Sequence, residues 1–158
     1  MAVVELLDLP ALLPRHAAVL GLDLGEKTIG VAASDVSRSV ASPLALIRRT
    51  KFTRDVAELF EHMDSRNAAA LVIGLPVNMD GSEGPRCQSN RAFARHLLRI
   101  RPDLPIAFWD ERMSTMAVNR MLIEEADVTR ARRAELVDKM AAAWILQGAL
   151  DRLRTVQD

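Results

Sequence analysis

Two short apolar runs, 17–22 and 29–33, are separated only by Asp23-Leu24-Gly25-Glu26-Lys27-Thr28. Runs of that length read as buried strands, and so short a glycine-containing connection joins them as an antiparallel hairpin. A parallel pair would need a crossover of a dozen residues or more. Asp23 closes the first strand beside the turn, where a carboxylate is held firmly yet reaches solvent. A metal ligand or a general base fits there, although a lone Asp-x-Gly more often serves only to shape a turn.

The remaining pattern continues this start. Residues 39–47 predict a third strand, with Pro43 favouring a sheet edge or a strand start. Val56, Leu59, Phe60 and Met63 recur at helical spacing, which predicts an amphipathic helix over 52–63. A buried strand follows over 68–75, stopped by Gly74-Leu75-Pro76, and then a turn-rich loop from Asn78 to Pro85 that would cover a cleft as a mobile lip. A helix is expected over 86–100, a strand over 104–109 ending on Asp110-Glu111-Arg112, and two closing helices, 114–125 and 131–153. Ser114 and Thr129 are natural caps for the last two. Strands first, then strand–helix alternation, predict an α/β fold: a five-stranded mixed sheet, antiparallel at its N-terminal hairpin, with helices on both faces. That is the element order of the ribonuclease H-like fold. Residues 1–16 read as an N-terminal extension, a short helix cut by Pro10 and Pro14, ahead of a single domain over 17–155.

Net charge of zero removes a global attraction for polyanions, so nucleic-acid contact has to come from local basic patches. A single cysteine, Cys87, excludes an internal disulfide, and the three scattered histidines show no zinc spacing. No run is long enough to span a bilayer, and the first residues lack a signal-peptide pattern. A soluble, cytoplasmic chain with no membrane partner is the expectation, either monomer or homodimer.

Four carboxylates fall where such a sheet gathers its chemistry, beyond the strand carboxyl ends: Asp23, Asp110, Glu111 and Asp138. Asp138 heads an apolar row on the last helix, Ala142, Ile145 and Ala149, so its carboxylate is expected to face protein. Burial of that kind is costly unless the group is paired or holds a metal. Adjacent strand residues point to opposite faces, so one of Asp110 and Glu111 is expected to turn toward the other acids. Carboxylates converging without histidine or cysteine favour Mg²⁺ or Mn²⁺, and phosphodiester hydrolysis is the chemistry that such a set most naturally performs. Lys27, Arg112, Arg86 and Asn78 supply the substrate side, with further arginines at 91, 95, 99, 130, 132 and 133. Each arginine run is equally readable as a solvated helix face. Four phenylalanines, two tryptophans and no tyrosine leave backbone and shape recognition ahead of base stacking.

Gly21-Leu22-Asp23-Leu24-Gly25-Glu26-Lys27-Thr28-Ile29-Gly30-Val31-Ala32 resembles the first motif of the YqgF/RuvX family. Gly74-Leu75-Pro76 with Asp80-Gly81 resembles its central loop, Asp110-Glu111-Arg112 with Ser114-Thr115 its Asp-Glu-Arg-x-Ser-Thr motif, and Val137-Asp138-Lys139 with Ile145-Leu146-Gln147 its C-terminal helix. The likeness runs in order over 17–153. It implies a ribonuclease H-like nuclease that matures the 5′ end of pre-16S ribosomal RNA, with Asp23, Asp138 and one of Asp110 or Glu111 holding the metal. The first motif departs from the family's usual Lys-Arg, reading Lys27-Thr28. The same resemblance admits a second substrate, the four-way DNA junction, for which a symmetric dimer is required.

Two further readings come from other classes. Asp23-x-Gly25 with Gly30 is similar to the phosphate-binding hairpin of sugar kinases and actin-like ATPases, but those enclose nucleotide between two such domains and 158 residues supply one. A module that binds ribosomal RNA without cutting it would keep the carboxylates for structure alone.

Overall fold

The computed structural model describes residues 3–113 and 129–157. Five strands, β1 (Ala18–Leu24), β2 (Thr28–Ser34), β3 (Ala41–Arg48), β4 (Ala68–Leu75) and β5 (Ile106–Asp110), form one sheet in the order β3-β2-β1-β4-β5. β2 runs antiparallel to β1 and β3, while β4 runs parallel to β1 and β5. The hairpin is as expected, but β1 extends past the apolar run: Asp23 pairs with Gly30 and Leu24 with Ile29, so Asp23 is a strand residue. Pro43 lies on edge strand β3, where its missing N–H costs no interior ladder bond, and the β2–β3 register slips opposite it.

Helices cover both faces. α1 (Phe52–Ser65) and α2 (Pro85–Ile100) pack on one, burying Val56, Leu59, Phe93 and Leu97 against Leu20, Leu22, Leu71 and Ile73. The long α3 (Arg130–Gln157) crosses the other over Val19, Ala32, Ala70 and Val72. The Thr129 hydroxyl accepts the N–H of Arg132 at 3.2 Å and caps α3. Gln147, the polar residue within the buried stretch of α3, takes the N–H of Ala41 at 2.8 Å and donates to the Ser39 carbonyl at 3.0 Å, fixing the start of edge strand β3. The helix expected over 114–125, with Ser114 as its cap, lies outside the described residues.

The N-terminal stretch forms two single 3₁₀ turns, Leu6–Asp8 and Pro10–Leu12, in place of one short helix. Leu9 between them is fully buried in the α3 core. The Val4 N–H donates to the Ile106 carbonyl at 2.9 Å, engaging the edge strand β5. Among the described residues no helix is long and apolar enough to cross a membrane.

Candidate active site

Strand alternation assigns the acids to faces. Leu20, Leu22 and Leu24 point into the α1/α2 core, so Gly21 and Asp23 point toward α3. Asp23 lies opposite Gly30 on β2, and the β1–β4 register, Leu22 beside Ile73, brings Gly74 to its other side when continued by one residue. Asp23 therefore stands between two glycines on the face that α3 covers. A methyl group on Gly30 would stand 3.1 Å from the Asp138 carbonyl oxygen and 3.6 Å from Cβ of Asp23. One on Gly74 would stand 3.1 Å from Oε2 of Glu111 and would overlap Cδ1 of Ile145. The missing side chain at Gly30 admits the backbone of Asp138 beside Asp23, and the one at Gly74 leaves room for the carboxylate of Glu111.

The neighbouring acids at the end of β5 part company. Ile106 and Phe108 face the α1/α2 core, and Ala107 and Trp109 face α3. Asp110 accordingly faces away from α3. It accepts Arg112 Nη2 at 2.7 Å, Nε at 3.1 Å and the Arg112 backbone N–H at 2.9 Å. The Arg112 guanidinium holds its carboxyl below the usual carboxylate range, and Asp110 in turn pushes the arginine up. Glu111 opens a 3₁₀ turn, Glu111–Met113, and points over Gly74.

Asp138 departs from expectation, because it is exposed instead of facing protein. Among the described side chains of α3, the buried ones begin at Ala141. One turn earlier the helix has already reached the rim by β2, where its backbone touches Gly30 and its side chain meets solvent. The donor chemistry, carboxylate oxygens alone, fits a hard divalent cation. Yet among the described residues no three His, Cys, Asp or Glu side chains are gathered closely enough to ligate one ion.

The substrate-side residues ring this end of the sheet. Lys27 is exposed at the hairpin tip and Arg86 is exposed in the first turn of α2. Asn78, also exposed, donates from Nδ2 to the Ser82 hydroxyl at 3.0 Å. The lip is tied internally: Asn78 N–H donates to the Ser82 carbonyl and Gly81 N–H to the Asn78 carbonyl, both at 2.9 Å, while the Ser82 hydroxyl donates to Asp80 at 2.6 Å. Arg112 reaches the Met79 carbonyl at 3.5 Å, linking lip to β5. Arg91 spends its charge on Glu83, at 2.7 and 2.8 Å, whereas Arg95, Arg99 and Arg132 are exposed.

Asn90 belongs to the site's support without standing out in the sequence. It is buried on α2 and donates from Nδ2 to the Gly74 carbonyl at 2.9 Å, holding the glycine beneath Glu111. The available signal was a polar residue one turn before Phe93, on the inward row of α2.

Comparison with known proteins agrees with this architecture. The family model described as "RuvX: Holliday junction resolvase" matches residues 17–152. A protein of Phenylobacterium zucineum named "Putative pre-16S rRNA nuclease" is 75% identical over 156 residues, covering 99% of this chain and all of that protein (100%). A protein of the same name from Caulobacter vibrioides is 68% identical over 154 residues, 98% of this chain and 99% of that one. Among solved structures, T. thermophilus RuvC in complex with a Holliday junction substrate superposes with a TM-score of 0.52 at 14% identity, covering 89% of this chain and 98% of that chain. At that identity the likeness concerns the fold, which is ribonuclease H-like. With the family model spanning nearly the whole sheet and α3, this chain belongs to the RuvX family.

Proposed function

We propose that this chain is a divalent-cation-dependent endonuclease that hydrolyses a phosphodiester during 5′-end maturation of pre-16S ribosomal RNA. The observation that carries the reading is Asp23 seated between Gly30 and Gly74, with the backbone of Asp138 over Gly30 and the carboxylate of Glu111 over Gly74. The naming of relatives 75% and 68% identical over nearly their full length supports the RNA substrate.

Asp23, Glu111 and Asp138 would hold the cation. Mg²⁺ or Mn²⁺ held there would supply Lewis-acid charge for attack of water on phosphorus. Lys27 and Arg86, exposed at the rim, neutralise phosphates on either side of the cut. Arg112 is committed to Asp110, so it positions the lip and the β5 end and meets phosphate only at its outer edge. The products are a 5′-phosphate and a 3′-hydroxyl, as the resemblance to ribonuclease H-like enzymes implies.

A second reading, cleavage of four-way DNA junctions, draws on the description of the matching family model. One experiment addresses both. Purified protein is incubated with a pre-16S fragment and with a junction, with Mg²⁺, with Mn²⁺ and with chelator. The expected result is divalent-dependent cutting of the RNA, an intact junction, and a loss of at least about 100-fold in Asp23→Asn, comparable to removing a central electrostatic contribution. Full activity in Asp23→Asn removes the mechanism, and junction cutting by a dimer replaces the substrate.

A further inference from the structure

On the α1/α2 face, beside the hairpin tip, lies a groove of about 470 Å³ lined by Glu26, Arg49, Thr50, Phe52, Ser89 and Phe93. Its size is in the range that encloses a small-molecule-sized group. The groove and Asp23 share one hairpin. Asp23 faces α3, Glu26 lies just beyond the end of the same strand, at most about 10 Å away along the chain, and exposed Lys27 follows it at the tip. A nucleic-acid strand cut over Asp23 that continues across the tip enters this groove close to the cut.

The lining is not simply an anion hole. The Arg49 guanidinium lies over the Phe93 ring, 5.8 Å from its centre, and donates to the Gly25 carbonyl, which fixes a flat cation at one wall. Asp55, buried in the same wall, is taken up locally: Thr50 donates to it from its N–H at 3.1 and 3.2 Å and from its hydroxyl at 3.2 Å. Glu26 is an exposed acceptor at the rim. Phe52, edge-on to Phe93 at 5.5 Å, adds an apolar wall. A guanidinium for phosphate, a carboxylate for a hydroxyl donor and an apolar wall for a sugar together match a nucleotide. A carboxylate accepts from a ribose 2′-hydroxyl and finds no such donor on deoxyribose.

We propose that this groove seats one ribonucleotide of the substrate strand beside the cleaved bond, with Arg49 on its phosphate and Glu26 accepting from its 2′-hydroxyl. The proposal rests on the RNA-nuclease reading and adds to it the means by which the chain distinguishes RNA from DNA.

The test is a scan of single 2′-deoxy substitutions along the strand around the cut, in a pre-16S fragment cleaved with Mg²⁺, reading KM and kcat separately. In the wild-type chain one position near the cut should raise KM about fivefold, the worth of one hydrogen bond, with kcat little changed. In Glu26→Ala the all-ribose substrate should show that same higher KM, and the deoxy penalty at that position should vanish. Glu26→Gln, which keeps an acceptor oxygen, should recover part of it. Arg49→Ala should raise KM for every substrate alike, with a melting curve taken alongside because Arg49 also ties Gly25. A deoxy penalty that survives Glu26→Ala, or a wild-type scan that is flat, overturns the subsite while the nuclease reading stands. A wild-type chain that cuts no RNA overturns both.

Discussion

Leucine and isoleucine fill the sheet face under α1 and α2, whereas glycine and alanine hold much of the face under α3. Large side chains keep α1 and α2 at ordinary packing distance. On the other face the missing side chains let the backbone of α3 descend onto the strands. A methyl group on Gly21 would come within 2.6 Å of Cβ of Leu146 and 3.1 Å of the Ala142 carbonyl. The same descent carries Asp138 to the strand that pairs with Asp23. Close packing and the approach of the Asp138 backbone to β2 are thus one feature of the α3 face. The sharpest break is Gly21→Val. Its neighbours are main-chain atoms and a Cβ, which cannot swing aside, so α3 must move. The expected cost is about 3 kcal/mol, a melting temperature lower by roughly 10 °C, together with lost cleavage. On the large-residue face Ile73→Val removes one methylene and should cost about 1 kcal/mol with activity kept. Equal melting curves for the two variants would end the contrast.

The two faces meet in the pair at the end of β5. Asp110 belongs to the large-residue side and is closed by Arg112, while Glu111 belongs to the α3 side and lies over Gly74. Glu111→Gln should therefore lower cleavage by about 100-fold, some 2.7 kcal/mol of transition-state stabilisation. Asp110→Asn should keep most activity and loosen the lip, which limited proteolysis near Met79 would read. An Asp110→Asn variant as inactive as Glu111→Gln would place both acids in the chemistry and cancel the division by face.

Much of this was legible in the sequence, because the elements are bounded by local signals. The hairpin followed from its short glycine turn, β4 from one apolar run stopped by Gly74-Leu75-Pro76, and α3 from Thr129 and an apolar row. The choice between Asp110 and Glu111 was open, since it depends on strand parity counted from Ile106, a residue whose facing is set by tertiary packing. Asp138 was misjudged for a related reason. Periodicity gives the side of the helix on which a residue sits, but not where along its length the helix leaves the sheet. Asn90 and the Arg49 groove were missed because both are made by contacts between segments far apart in sequence, Asn90 with Gly74 and Arg49 with Phe93.

Asp35 shows an acid that belongs to the turn after β2 and to neither face. Its carboxylate is drawn down to about 2 by the Ser37 hydroxyl and then by the N–H groups of Ser39 and Val40. The bonds are 2.6 Å from Ser37, 2.8 Å from Ser39 and 3.1 Å from Val40. They span the turn in which Arg38 takes a positive φ of 57° and reaches the Ala17 carbonyl at 2.9 Å. A carboxylate whose folded value is depressed stabilises the fold fully above its unfolded value of 3.8, and that contribution drains away as pH falls toward about 2. The group is almost wholly open to solvent, so screening reduces the effect to under about 1 kcal/mol. Asp35→Asn should therefore leave RNA cleavage unchanged at neutral pH and flatten the acid limb of stability between pH 3.8 and about 2. Acid-melting curves of the two chains, which should differ above that window and converge below it, provide the check. A loss of cleavage in this variant would mean that acids outside the α3 face also reach the chemistry, and the division between holding a turn and serving a site would fail.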